Sequence, residues 1–387
     1  MKLLAIESSA DETAVCIVDA QGGIGNAQFT VLGNALFSQA EIHNQYGGIY
    51  PSMAKRNHAQ NLTPLLQAAL TEAEMFTEES HELSETQYER IHKLLHREPE
   101  MQQHLISLLE RIAPPPINAI AVTTGPGLEP ALWVGVNAAR ALALAWNLPL
   151  IQTNHIEGHL VSPLAKPIDD RTYLMQEVQF PILGLIVSGG HTEFIYMNDW
   201  HSYEYIGRTR DDALGEAYDK VARMLGLPYP GGAHISRLAG QARKEGLDPP
   251  FDFPRPMMKS GDFDFSFSGL KTAVMYQLKT WRKEHGDELS DEARKMFALE
   301  FTNAVFDVLV SKVHDALDTL PAKTLVLGGG VSANKTLRQV LTQLLEHQHP
   351  ETTLAVSEPE LSTDNAIMIA MAGAMRARDA LHYEEEQ

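Results

Sequence analysis

Apolar and polar positions alternate along this chain in short blocks, and the blocks come in a repeated order. KLLAIE (2–7) is an apolar run of the length of one buried strand, SSADET is a polar turn, and AVCIVDA is a second strand ended by QGG. Further on, PILGLIV, SGGHT and EFIYMND give strand, small polar turn and strand again. A third strand candidate follows each unit, GNALFSQ in the first and YEYIGRT in the second. A segment of helical period follows each in turn, MAKRNHAQNLTPLLQAAL and LGEAYDKVARML. The repeat is one of layout more than of residue identity.

Beyond these units, strands alternate with helices. INAIAVT leads through TGPGLEP into the helix ALWVGVNAARALALAW. LPLIQT leads into NHIEGHL, and KTLVLG leads through GGVSAN into KTLRQVLTQLLEH. This predicts an α/β fold with helices covering mixed sheets. Two such halves with glycine turns at strand ends make an interdomain cleft the expected ligand site. Ser188-Gly189-Gly190 and Gly328-Gly329-Gly330 directly follow apolar strands. Backbone N–H groups in such turns can hold a phosphate, although a tight strand exit needs the same residues. No GxxxxGK[ST] is present, and no GxGxxG opens a helix after the first strand. A P-loop and a dinucleotide fold are therefore not expected.

Composition narrows the class. With 387 residues, 44% of them hydrophobic, the chain can fill two domains and is not globally disordered. A net charge of -19 argues against a general nucleic-acid coat protein, without excluding a local basic groove. The lone Cys16, inside AVCIV, cannot form an internal disulfide and suits a reducing compartment. MKLLAIESS is too short an apolar run for a signal peptide, and no run approaches a membrane span. The expectation is a cytoplasmic protein with no membrane role.

NHIEGH is the chemical focus. On a helix, His155 and His159 share one face and can share a metal; two polar residues near a helix start would read the same way. Zinc proteases of the HExxH type place a glutamate directly after the first histidine, where this chain has Ile156. Glu157 is expected to project from another side of the helix. That favours a metal acting as Lewis acid or template, completed by a carboxylate from elsewhere. A two-histidine, one-carboxylate set suits iron(II) or zinc.

Taken together, the motifs resemble the TsaD family of tRNA N6-adenosine threonylcarbamoyltransferases, formerly labelled O-sialoglycoprotein endopeptidases. The resemblance runs through IESSADET, HNQYGGIYP, TGPGLEPALWVG, NHIEGHL, VSGGHTE, DDALGEAYDKVARMLGLPYPGG, FPRPM, DFSFSGLKTAV, GGGVSANKTLR and STDNAIMIA. It implies the actin-like ATPase and sugar-kinase fold, with two duplicated RNase H-like domains. These would span 1–178 and 179–362, and a C-terminal helix over 363–387 would return to the first. It implies transfer of threonylcarbamoyl from threonylcarbamoyl-AMP to adenosine 37 of tRNAs reading codons that begin with A. The implied metal ligands are His155, His159 and Asp364, for Fe2+ ahead of Zn2+. The implied substrate contacts are Ile186, Val187, Ser188, Gly189, Gly190, Asp219, Gly232 and Asn334. Asp219 could instead be a solvated acid, and Asn334 a helix cap. Asp11 and Glu12 are candidates to tune the site or accept a proton, with turn capping as the plain alternative. The implied partners are tRNA and TsaB-like and TsaE-like proteins, with a TsaC-like enzyme making the adenylate. The competing functions are a metabolite kinase or ATPase of the same fold, a metallopeptidase, and a non-catalytic scaffold.

The chain departs from the family pattern most clearly at 71–116. There Leu94, Leu95, Leu105, Leu108 and Leu109 recur at helical spacing among charges, and Pro114 to Pro116 end the segment. The expectation is a solvated helical hairpin inserted in the first domain, with a partner contact as the sharper reading.

Overall fold

The structure is a computed structural model and describes residues 1–46, 48–200 and 202–377. The part of the expected 363–387 helix beyond residue 377 lies outside the described residues. The chain divides into two compact units, one of Met1–Ile42, Ile49–Glu177 and Asp364–Gln387, the other of His43–Gly48 and Val178–Thr363.

The first unit opens with β1 (Lys2–Glu7), β2 (Glu12–Gln21) and β3 (Gln28–Ser38), an antiparallel meander. The short α1 (Ala40–Asn44), whose last two residues count with the second unit, and the long α2 (Pro51–Glu72) follow, then α3 (Glu85–Leu94) and α4 (Pro99–Leu109). Next come β4 (Ala119–Gly125), α5 (Glu129–Trp146), β5 (Leu150–Asn154) and α6 (His155–Val161). Two strands not foreseen from the sequence, β6 (Ala165–Pro167) and β7 (Thr172–Met175), extend the sheet to the order β5-β4-β1-β2-β3-β7-β6. They are short, and Pro167 interrupts the apolar pattern that would have marked them. β4 and β5 run parallel to β1, as α-helical crossovers require.

The second unit repeats this order. β8 (Ile182–Val187), β9 (Thr192–Asp199) and β10 (Ser202–Arg208) form an antiparallel meander. Then come α7 (Leu214–Met224), α8 (Gly231–Glu245), α9 (Ser268–His285) and α10 (Asp291–Thr319). β11 (Thr324–Gly328), α11 (Lys335–Gln348), β12 (Thr353–Val356) and the short α12 (Pro359–Ser362) complete it. The sheet order is β10-β9-β8-β11-β12, with β11 and β12 parallel to β8. In both units the first strand therefore lies between its hairpin partner and a parallel crossover strand. This is the duplicated actin-like α/β architecture.

In the first unit, Leu4, Ile6, Val15, Ile17, Ile120 and Val122 pack against α2 and α5. The alternate positions of β1, β2, β4 and β5 meet α13 (Ala366–Met375), so the sheet is covered on both faces. α13 has the run AIMIAMAGAM because it packs this closely: a Cβ on Gly373 would lie 2.8 Å from the Cβ of Ala121. In the second unit, Leu183, Leu185, Val187, Leu325 and Leu327 meet an apolar layer from α7 to α11.

The 71–116 segment corrects an expectation. It does form a helical pair, but not a solvated one. Ile91, Leu95, Met101, Leu105, Leu108 and Leu109 are buried in the same core as α2 and α5. Apart from Glu98, which is buried and ion-pairs with Lys55 at 2.8 Å, the charges between these leucines occupy the outer faces, so the pair is amphipathic and adds a layer to the first unit.

Candidate functional site

In the first unit, the strand β5 ends at Asn154, whose side chain accepts from the Ile156 N–H at 2.8 Å and starts α6. Both histidines of the helix are buried, with their rings edge-to-face at 4.7 Å between centroids. Their Nε2 atoms converge on one carboxylate oxygen. His159 Nε2 lies 3.1 Å and His155 Nε2 3.5 Å from Asp364 Oδ1. Asp364 arrives 205 residues after His159, just ahead of α13. Asn365 caps that helix by accepting from the Met368 N–H at 2.8 Å.

Gly158 explains the spacing between the histidines. A Cβ there would lie 2.8 Å from Cγ of Met368 on α13. Glycine lets α6 approach α13 closely enough for the ligand from one to meet the pair from the other. Glu157, the acid between the histidines in sequence, ion-pairs with Arg376 at the far end of α13.

A buried network lies behind the histidines. His155 Nδ1 is 3.2 Å from Glu7 Oε2 and 3.2 Å from Ser9 Oγ. Glu7 is fully buried at the end of β1 and also accepts from the Ser9 N–H at 2.6 Å and the Thr123 hydroxyl at 2.5 Å. Burial alone would raise the Glu7 carboxyl, but His155 and then the Ser9 side chain outweigh it and hold it below its usual range. Burial likewise disfavours the His155 imidazolium, yet Asp364 and Glu7 bring its pKa up to about 9. This set fits a divalent metal: two imidazole nitrogens and a carboxylate converge, and one imidazole has a carboxylate on its far nitrogen. His159 Nδ1 is buried and has no hydrogen-bond partner among the described residues.

Glu12 opens β2 and accepts from the Ser38 hydroxyl at 3.1 Å. Burial, then the negative charges of Asp11 and Asp364, push its carboxyl well above the usual range. Asp11 lies in the turn before it, where its carbonyl accepts from the Gln39 N–H at 2.9 Å. His58 holds the same turn, through the Thr13 hydroxyl at 2.7 Å and the Ala10 carbonyl at 3.0 Å. Sequence reasoning missed Glu7, Ser9, His58 and Thr123. The one signal available was an acid at the end of an apolar strand, Glu7 in KLLAIE.

In the second unit, the predicted contacts gather around the ends of β8 and β11. Ile186 and Val187 have fully buried side chains within the sheet, so only their backbone can face a ligand. Ser188 turns the chain: its N–H donates to the His191 carbonyl at 2.8 Å and its Oγ accepts from the His191 N–H at 3.1 Å. Gly189 and Gly190 are exposed, with open space where a Cβ would stand. Gly329 has φ +84 and would put a Cβ 2.5 Å from the Val187 carbonyl oxygen, which holds the two turns side by side. Asn334 caps α11 through the Thr336 and Leu337 N–H groups at 3.0 and 3.2 Å. Its amide also donates to Ser236 Oγ at 2.9 Å, and Ser236 donates to the Gly232 carbonyl at 2.8 Å. Asp219 accepts from the Gly231 N–H at 2.7 Å and lines a cavity of about 300 Å³ with Asn44, Tyr46, Arg223 and Tyr229. Asn334, Gly232 and Asp219 are thus joined through the start of α8, although they lie far apart in sequence.

Comparison with known proteins bears on this arrangement. The family described as "TsaD: tRNA N6-adenosine threonylcarbamoyltransferase" matches residues 30–83 and 99–371. A tRNA N6-adenosine threonylcarbamoyltransferase of Bacillus anthracis is 41% identical over 374 residues, covering 96% of this chain and 90% of that protein. One from Geobacillus kaustophilus is 40% identical over 373 residues, covering 96% and 91%. Among solved structures, a ROK family glucokinase from Streptomyces griseus is similar with a TM-score of 0.41 and 11% identity, over 97% of this chain and 100% of that one. The residues left unmatched between 83 and 99 fall in the inserted helical pair. On the match through nearly its whole length, this chain belongs to the TsaD family of tRNA N6-adenosine threonylcarbamoyltransferases.

Proposed function

We propose that this protein transfers the threonylcarbamoyl group of threonylcarbamoyl-AMP to the N6 amine of adenosine 37, in tRNAs reading codons that begin with A. We further propose that a divalent metal, Fe2+ ahead of Zn2+, is held by His155, His159 and Asp364. The observation that carries this reading is the convergence of two buried imidazoles on Asp364, with Glu7 behind His155. When bound, the metal supplies Lewis-acid charge and a fixed point for an oxygen-bearing substrate.

The donor is a mixed anhydride with a good leaving group, so no covalent nucleophile from the protein is needed. The adenine amine is the weak partner, because its lone pair is conjugated into the ring. The chain must therefore orient it and take its proton. The N6–carbonyl bond forms, the carbonyl–O–phosphate bond breaks, AMP departs with the electron pair, and the N6 proton leaves. Glu12 suits the acceptor's role, since a carboxyl held above its usual range is a stronger base once ionised than an ordinary one. The exposed Gly189 and Gly190 backbone supports a role in holding the adenylate phosphate, and Asp219 a role toward its ribose. The net charge of -19 favours a groove for tRNA that is completed by TsaB-like and TsaE-like partners. A tRNA substrate implies a cytoplasmic place of work. No helix among the described residues is long and apolar enough to cross a membrane.

The test supplies threonylcarbamoyl-AMP and unmodified tRNA to the metal-loaded protein, with and without the partners, and weighs the nucleoside product. Wild type should give N6-threonylcarbamoyladenosine and His159→Ala none. Equal product from both would sink the assignment of the metal centre. No product from any mixture of folded, metal-loaded protein would sink the substrate assignment.

A further inference from the structure

The second unit carries a separate group of ligating side chains. His314 and Asp318 stand one helical turn apart in the last turns of α10, and His349 is the residue at which α11 ends. His314 Nδ1 lies 2.9 Å from His349 Nε2, His314 Nε2 3.6 Å from Asp318 Oδ2, and His349 Nε2 3.9 Å from Asp318 Oδ1. One donor atom from each residue lies within 4.8 Å of the other two. Ligands bound at about 2.0–2.2 Å in a tetrahedron stand roughly 3.3–3.6 Å apart, so small side-chain shifts would complete the set.

We propose that His314, Asp318 and His349 form a second divalent-metal site, distinct from the centre at His155 and selective for a borderline transition ion such as Zn2+.

Three features favour a cation over a plain histidine–histidine hydrogen bond. Two helices, α10 and α11, both end here, and each brings the partial negative charge of its C-terminal carbonyls. The frame is rigid: Val313, Ala316 and Leu317 of α10 pack with Leu341, Leu344 and Leu345 of α11 in the buried core. His349 is further fixed by its own backbone, whose N–H donates to Leu345 and whose carbonyl accepts from Thr352, both at 2.9 Å. The His349 side chain is only 10% exposed, so one donor is shielded from bulk water before any ion binds. Two nitrogens and one oxygen, with His314 half-buried and Asp318 exposed, leave open positions for water. That donor set suits Zn2+, Ni2+ or Cu2+ and not Mg2+ or Ca2+, which take all-oxygen shells. A bound ion would clamp the end of α10 to the end of α11.

The test is titration of untagged, chelator-stripped full-length protein with Zn2+ against a chromophoric competitor, for wild type, Asp318→Asn, His314→Ala and His349→Ala. Whatever number of equivalents wild type binds, each variant should bind one fewer, or bind that one at least about tenfold more weakly. Removing even a partner one shell out costs roughly 10–100-fold, so loss of a ligand should cost no less. His155→Ala should leave this equivalent in place, which separates the outcome from the fate of the proposed transferase centre. Circular dichroism checks the fold of each variant, and Asp318→Asn, at an exposed position, serves should a histidine variant not fold. Zinc binding of unchanged stoichiometry and affinity in folded Asp318→Asn and His349→Ala overturns the proposal, as does a wild type that binds no Zn2+ outside the His155 centre.

Discussion

Glu7→Gln is the substitution whose consequence follows most directly from the geometry. The glutamate is fully buried and takes three contacts: the Ser9 N–H at 2.6 Å, the Thr123 hydroxyl at 2.5 Å and His155 Nδ1 at 3.2 Å. An amide of the same shape has one accepting oxygen and an NH2 group. The Thr123 hydroxyl can rotate and accept from that NH2, but the Ser9 and His155 N–H groups cannot both be satisfied by the one remaining oxygen. One buried donor is left unpaired, at about 1–3 kcal/mol. The substitution also removes a buried charge, whose desolvation opposes part of that cost, so the net change in folding stability should fall at the low end of this range. Affinity for the proposed metal has no such offset. His155 loses the carboxylate that sets its tautomer and raises its basicity, and the loss of such a partner weakens binding about 10–100-fold, or roughly 1.4–2.8 kcal/mol. The assay is chelator competition for Fe2+ or Zn2+ at neutral pH, with thermal unfolding of the stripped protein measured beside it. A folded Glu7→Gln protein that holds the metal within about twofold of wild type would refute the reasoning, because His155 would then be oriented by something other than Glu7.

Three other expectations can be checked alongside. Gly158→Ala puts a Cβ 2.8 Å from Cγ of Met368, so it should destabilise by about 1–3 kcal/mol and weaken the metal by separating α6 from α13; an unchanged denaturant midpoint would show that Met368 simply moves aside. Leu105→Ala in the inserted helical pair should cost about 2–5 kcal/mol in equilibrium unfolding, as a core position does, whereas a solvated hairpin predicts a change within about 0.5 kcal/mol. Burial opposes ionisation of Asp211, but the hydroxyls of Ser266 and Ser268 and the N–H groups of Phe267 and Ser268 outweigh it and hold its carboxyl below the ordinary 3.8. A depressed carboxyl stabilises fully above its unfolded value and loses that contribution as pH falls through its folded one, so wild type should lose more stability than Asp211→Asn between about pH 5 and about pH 3; parallel losses would discard the idea.

The sequence by itself determined the two meanders, the helices that follow them and their repeated order, but not β6, β7, β12 or the helices α8 to α10. Strand and helix periods are printed in which positions are apolar, so KLLAIE, PILGLIV and the long helix after each meander were legible without any contact. It also placed His155 and His159 on one face of a helix, because four residues make one turn wherever that helix lies. Resemblance, not periodicity, pointed to Asp364.

What only the tertiary structure decided is what each buried face meets. Amphipathic spacing in 71–116 shows that a face wants cover, but the same pattern serves a self-contained hairpin and a layer of the main core; only the packing of Leu95 and Leu105 with α2 and α5 selects the second. Asn334, Gly232 and Asp219 acquire their connection through Ser236 and Gly231, and no local rule pairs them. Glu7 reaches His155 across 148 residues, and Asp364 reaches His159 across 205. The physical reason is one of range. Backbone sterics and hydrophobic period act over a few residues and are written in the local sequence. The proposed metal centre needs donors within a few ångströms of one another, and the folded sheet with α13 laid against it is what brings those chain-distant side chains together.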